Sequence, residues 1–151
     1  EIMKNFDAQK FSERFSDEYA LLIRLHPQVH TGEVDAGESA IDMTGYPDVG
    51  ELVRICDLLI TDYSSICMDF VLLKKPCLFY AFDLEEYERE RSFFFSYEDY
   101  VPGKTAKTFD GLLDMIASED FGKDRQEKFR EFNFDVFDGK SAERTADAIV
   151  K

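Results

Sequence analysis

The sequence has 151 residues, 44% apolar and 33% charged, with a net charge of −14. That is enough chain for one ordinary domain with a real core, and too apolar for a disordered one. One acidic field of this size disfavours nucleic acid and anionic membranes as partners of this surface, and no apolar stretch nears the ~20 residues needed to span a bilayer. A local anion site stays open, because helix N-termini and backbone amides hold phosphate. The first residue is Glu1, so the sequence reads as a piece of a longer chain, and its charged opening is not that of a signal peptide. Cys56, Cys67 and Cys77 lie in or beside apolar runs without zinc spacing, and read as reduced core thiols of a cytoplasmic protein.

Phe6, Phe11 and Phe15 fall at near-helical spacing and predict an amphipathic helix over 7–17. Residues 19–25, "YALLIRL", form an apolar run broken only by Arg24 and predict a buried strand that ends at His26-Pro27. Residues 28–38 are polar with two glycines and read as loop. "SAIDMT" (39–44) alternates like a short strand, and Gly45-Tyr46-Pro47 is a turn. Asp48 precedes Glu51 by three residues, a helix-start pattern, with Leu52, Val53, Ile55 and Cys56 continuing the helix. "DLLIT" (57–61) predicts a second buried strand.

Residues 64–74 predict a helix with Ile66, Phe70 and Leu73 on one stripe, closed by Pro76, and "CLFYAF" (77–82) predicts another strand. Alternation of strands with helices implies a parallel sheet with helices on its faces. Beyond it, 83–92 is dense in charge and "FFFSYEDY" is aromatic before a turn at Pro102-Gly103. That aromatic segment reads as packing or an inter-domain contact rather than a ligand box. Thr108 is placed to cap a helix facing the core with Leu112, Leu113 and Ile116. "GKDRQEKFREFNF" and "SAERTADAIVK" read as two further surface helices. No repeat or low-complexity linker divides the chain, so it reads as one domain.

In an open parallel sheet, ligands bind beyond the carboxyl ends of the strands. Four features fall there: His26-Pro27, Gly45-Tyr46-Pro47-Asp48, Asp62-Tyr63-Ser64-Ser65 and Ala81-Phe82-Asp83. Two readings of Ser64 and Ser65 stand side by side, a helix cap and an anion contact at a helix start. Asp69, four residues beyond Ser65, is either an exposed helix acid or an acceptor for ribose hydroxyls. His26 and His30 are the only histidines. His26 directly follows a strand, where an imidazole can meet a phosphate or serve as acid or base, or can simply bond to backbone. No GxGxxG or GxxxxGK[ST] motif and no carboxylate cluster of metal-ligand spacing is present.

"LLIRLHP", the run from "YPDVGELVRICDLLITDYSS" through "KKPCLFYAF" to "YVPG", and the final "DGKSAER" resemble the C-terminal half of the CDP-glycerol glycerophosphotransferase family, the teichoic acid polymerases and primases. The similarity runs from about Tyr19 to Lys151, and the order and spacing of HP, YPD, TDYSS, KKP and VPGK make it specific. It implies an α/β, Rossmann-like parallel sheet flanked by helices, one half of a GT-B type glycosyltransferase fold. Residues 1–151 would be the C-terminal nucleotide-donor-binding domain, with the N-terminal acceptor domain outside this chain. The implied activity is transfer of glycerol phosphate from CDP-glycerol to the terminal hydroxyl of a cell-surface polymer, with release of CMP.

By the same resemblance His26 is the catalytic histidine near the donor phosphates. Ser64 and Ser65 hold the diphosphate, and Asp69 lies near the ribose. Tyr46 and Pro47 sit where cytosine is read. Arg24 either positions phosphate or flanks the site, and Asp62, heading the serine loop, joins the donor-binding group. No cofactor is implied beyond a Mg²⁺ held weakly on the diphosphate. The expected partners are CDP-glycerol or a related CDP-polyol and, through the other half, a polymer acceptor. The full-length protein is expected in the cytoplasm, peripheral at the inner face of the membrane. The base that activates the acceptor belongs to the other half, so this chain alone is expected to bind donor weakly and to polymerise nothing. Two alternatives remain: a donor half for CDP-ribitol or another nucleotide-linked polyol or sugar, and a non-catalytic Rossmann-like interaction domain.

Overall fold

Helices and parallel strands alternate along residues 5–26 and 40–150, which the computed structural model describes. The predicted loop over 28–38, with Pro27 and His30, lies outside the described residues.

Helix α1 (Ala8–Phe15) starts at Asp7, whose carboxylate accepts from the Lys10 amide, and buries Phe11 and Phe15 one turn apart. Strand β1 (Leu22–Ile23) pairs in parallel with β2 (Ile41–Asp42), Leu22 opposite Ile41. Both are shorter than the runs of 19–25 and 39–44 that predicted them. Tyr19 packs on the apolar core without joining a ladder, and Leu21 packs there while its carbonyl accepts from the Ile41 amide at 2.9 Å. Asp48 caps α2 (Val49–Ile55) as expected, accepting from the Gly50 and Glu51 amides at 2.8 and 3.3 Å.

Strands β3 (Leu59–Thr61), β4 (Cys77–Tyr80) and β5 (Lys104–Ala106) form a parallel sheet in that order, with Thr61 opposite Phe79 and Phe79 opposite Thr105. The predicted helix over 64–74 is reduced to α3 (Cys67–Leu72), preceded by a tight turn in which Ser65 accepts from the Met68 amide. Its inward stripe is Cys67, Phe70 and Val71, while Leu73 is exposed, contrary to the expected Ile66–Phe70–Leu73 stripe. The chain leaves the helix at Leu73, and Lys74 reverses it with φ 58°.

Between β4 and β5 lie α4 (Leu84–Arg91) and the single turn α5 (Tyr97–Tyr100). Strand β5 has no apolar run to announce it. It exists because Gly103 lets the chain close on β4: a Cβ there would stand 2.0 Å from the Cys77 carbonyl oxygen, a distance no side chain tolerates. Thr108 then caps α6 (Phe109–Ala117), which buries Leu112, Leu113 and Ile116 as expected. Helices α7 (Lys123–Asn133) and α8 (Ser141–Val150) follow, the first anchored by buried Phe129, the second with no buried residue.

β4 organises the core. All four of its residues are buried, and its side chains alternate between two clusters. Cys77 and Phe79, with Ala81 beyond the strand, pack with Val53, Phe70, Leu84, Tyr97 and Val101. Leu78 and Tyr80 pack on the other face with Phe11, Phe15 and the α6 leucines. Lys10–Asp110 and Arg14–Asp114 ion pairs run along the exposed α1–α6 seam.

Candidate functional site

Because every described pairing is parallel, the carboxyl ends of β3, β4 and β5 open on one edge, and those of β1 and β2 likewise share an edge. The expected site residues lie on these ends, and their hydrogen bonds gather them into two groups.

The first group follows β1 and β2. Arg24, just past β1, is half-buried, and its guanidinium donates to the backbone carbonyls of Met43, at 3.1 Å, and of Tyr46. The Leu25 amide donates to the Thr44 hydroxyl at 3.2 Å. One charged side chain thus fixes the turn after β2 against the end of β1. The Tyr46 hydroxyl donates to Glu51 at 2.6 Å, and that bond raises its pKa above the ordinary tyrosine value. Pro47 and the capping Asp48 are exposed. His26 is exposed at the end of the same β1 segment.

The second group follows β3. Ser64 and Ser65 are both exposed. The Ser64 hydroxyl accepts from the Ile66 amide at 3.3 Å, so it meets one local donor, while the helix N-cap proper, Ile66, has no capping side chain. Ser65 is exposed and contributes its carbonyl to the turn. Asp69 is exposed in the first turn of α3. The half-buried Asp62 is engaged through its backbone, its carbonyl accepting from the Tyr97 hydroxyl at 2.7 Å.

Sequence reasoning missed what stands behind this loop. Tyr63 stacks on Tyr87 with ring centres 3.7 Å apart, meets Tyr97 edge-on at 5.3 Å, and donates its hydroxyl to Asp83 at 2.7 Å. Burial, then the Asp83 bond and the surrounding carboxylates, push the Tyr63 pKa far up, and burial does the same for Tyr97. Both remain neutral hydroxyl donors. The sequence marks Asp83 only as a strand-end residue and "FFFSYEDY" only as aromatic. The pairing of Tyr97 with Asp62 spans 35 residues and leaves no periodic trace. Within that segment Phe93 and Tyr97 pack inward, as expected of packing residues, while Phe94 is fully exposed.

The cysteines play no part at the opening. Burial pushes Cys67 and Cys77 up to about 11 and about 12, so both are protonated thiols, and Cys56 is half-buried with its pKa also raised by burial. Among the described residues no three His, Cys, Asp or Glu side chains come together as a metal-binding group, and no helix is long and apolar enough to cross a membrane.

Comparison with known proteins matches residues 1–151 to the family described as CDP-glycerol:poly(glycerophosphate) glycerophosphotransferase. The chain is 35% identical, over 147 residues, to a teichoic acid poly(ribitol-phosphate) polymerase of Bacillus spizizenii, covering 95% of this chain and 24% of that protein. It is 32% identical to a teichoic acid glycerol-phosphate transferase of Staphylococcus aureus, covering 97% of this chain and 39% of that one. Among solved structures it superposes on the wall teichoic acid polymerase TagF with a TM-score of 0.77 and 30% identity, over 95% of this chain and 36% of that one. A variant of that polymerase soaked with CDPG superposes with a TM-score of 0.76. The chain therefore spans between about a quarter and two-fifths of the length of these relatives. The architecture is the Rossmann-like half of a GT-B type fold. With its whole length matched, the chain belongs to the CDP-glycerol:poly(glycerophosphate) glycerophosphotransferase family.

Proposed function

We propose that this chain is the donor-binding half of a transferase that moves a polyol phosphate from a CDP-linked donor to the terminal hydroxyl of a teichoic acid or related polymer. The observation that carries the reading is the exposed Ser64–Ser65 turn at the carboxyl end of β3. In this reading the two hydroxyls and the amides of the turn hold the diphosphate. Tyr46 and Pro47 line the cytosine end, Asp69 accepts from the ribose, and Asp62 heads the phosphate loop. Arg24 serves the site by fixing the Tyr46 turn, since its guanidinium is already bonded to two carbonyls.

The chemistry is a displacement at phosphorus. The acceptor oxygen bonds to the phosphorus that carries the polyol, and the bond from that phosphorus to the bridging oxygen breaks. The electron pair leaves with CMP, and the acceptor proton passes to a base outside this chain. His26 is assigned to neutralise or protonate the departing phosphate. No resident cofactor is required, the CDP-polyol being a substrate, and any Mg²⁺ rides on its diphosphate. The reading places the protein in the cytoplasm, at the inner face of the membrane.

The polyol is glycerol or ribitol. Identities of 35% and 39% to a ribitol-phosphate polymerase and a primase overlap with 32% and 36% to a glycerol-phosphate transferase and a glycerol-phosphate polymerase, so the choice between the two polyols falls to binding. The test is calorimetric titration of the native polypeptide with CDP-glycerol, CDP-ribitol, CMP and a UDP-sugar. One CDP-polyol should bind saturably and compete with CMP, the UDP-sugar should not, and Ser64→Ala/Ser65→Ala should weaken binding about a hundredfold. Unchanged affinity in the serine variant overturns the site, and a preference for the UDP-sugar overturns the donor class.

A further inference from the structure

The serine turn owes little of its position to its own helix. α3 has only 6 residues, and its N-cap residue carries no capping side chain. The two residues before Ser64 are instead held from outside, each by a separate hydroxyl bond. Tyr97, reaching in from α5, donates to the Asp62 carbonyl, and Tyr63 donates to Asp83 at the end of β4, both at 2.7 Å.

The rings leave these hydroxyls little freedom. Tyr63 is stacked on Tyr87 at 3.7 Å with planes 17° apart, Phe93 stacks on Tyr87 at 5.4 Å and also meets Tyr63 at 6.0 Å, and Tyr97 is wedged between Tyr63 and Phe79. Tyr97 is buried, with 5% of its surface exposed. We infer that the Tyr63 and Tyr97 hydroxyls and the Asp83 carboxylate are positioning groups for the serine turn, acting through Asp62 and Tyr63 rather than by touching ligand. The inference rests on Ser64 and Ser65 being the donor-phosphate contact.

The physical case is one of lever and tolerance. Successive Cα atoms are about 3.8 Å apart, so a shift at Asp62 or Tyr63 arrives at Ser64 almost undiminished. A binding constellation has to be held to within about 0.5 Å to work, and a loop exposed on its outer side meets that tolerance only if its inner side is fixed. Two bonds from two different elements, at consecutive residues, remove both translation and twist. The aromatic segment 93–100 is thereby a back wall of the site, although no side chain in it needs to meet the donor.

The test measures the dissociation constant of the preferred CDP-polyol for the native polypeptide together with its unfolding midpoint. Tyr97→Phe and Tyr63→Phe each keep the ring and remove one donor. Each is expected to weaken donor binding about threefold to tenfold, the worth of one lost hydrogen bond. Asp83→Ala should match Tyr63→Phe, and the double variant should be no weaker than either alone, because both remove one bond. Asp83→Asn keeps an acceptor oxygen and should restore affinity to within about twofold of the parent. A purely structural role would lower the unfolding midpoint and leave the affinity of the folded protein unchanged, and that result in both Phe variants overturns the inference. If Tyr97→Phe does not fold, Tyr63→Phe and the Asp83 pair carry the same test. Loss of binding in Ser64→Ala/Ser65→Ala alongside normal binding in the Phe variants removes the positioning role alone. Normal binding in the serine variant removes the site and this inference together.

Discussion

The two loops that face the proposed donor are held by opposite chemistries. The turn after β2 is fixed by a cation, Arg24, bonded to two carbonyls, with the exposed carboxylate of Asp48 capping the helix beyond. The loop after β3 is fixed by neutral hydroxyls set in stacked rings. A guanidinium holds firmly because its charge strengthens each bond, yet removing it strands two acceptors at once. The tyrosine clamp spreads the same task over ring contacts and two separate hydroxyl bonds, one of them to the Asp83 carboxylate, so single losses there are milder. The proposed base end is thus held by one guanidinium, and the proposed phosphate end by several groups that share the work.

That contrast can be broken or sharpened in order of expected size. The largest effect belongs to Ser64→Ala/Ser65→Ala. It should weaken donor binding about a hundredfold, as two charge-assisted bonds are lost, with unfolding midpoints little moved; calorimetry and a thermal melt read both. Next is Arg24→Ala, which leaves the Met43 and Tyr46 carbonyls without that donor. A loss of about 1–3 kcal/mol of stability is expected in urea unfolding, with CMP binding weakened as well. Arg24→Lys should recover little, since an ammonium cannot reproduce the fork. Parity of Arg24→Ala with Tyr97→Phe would erase the difference between the two loops.

A smaller effect follows from pH. Folding raises the pKa of Tyr63, Tyr97 and Tyr46 above their unfolded values. Each prefers its proton in the folded state, so the stability it contributes is whole below about pH 10 and is lost as pH climbs through the raised folded values. Urea midpoints measured upward from about pH 9 should fall, and Tyr63→Phe should flatten part of that fall. The smallest is Lys10→Ala on the far side of the sheet. Its pair with Asp110 joins two exposed side chains, so little change in the urea midpoint and no change in donor affinity are expected from the same unfolding and calorimetric measurements.

How much of this was legible depended on range. Caps were read correctly at Asp48 and Thr108, because a cap is written within three residues. The parallel sense of the strands followed from alternation. Strand length did not: "YALLIRL" reports burial, and only Leu22 and Ile23 of it found a ladder partner. β5 was invisible because its partner, not its own composition, makes it a strand, through the space left at Gly103. The helix after Ser65 was drawn too long because the apolar stripe ran on past the backbone reversal at Lys74. At the site, Ser64 and Ser65 are marked by their place after a strand and Arg24 only by the family resemblance, while the tyrosine that grips Asp62 lies 35 residues downstream, where only folding brings it near.

The alternation along β4 has a mechanical consequence. Odd positions face the layer that carries α2, α3 and Tyr97, while even positions face α1 and α6. The strand acts as a bulkhead between two compartments. Redesign of the α1–α6 compartment, or fusion of another domain there, can proceed while the donor face keeps its shape, provided Leu78 and Tyr80 keep their volume.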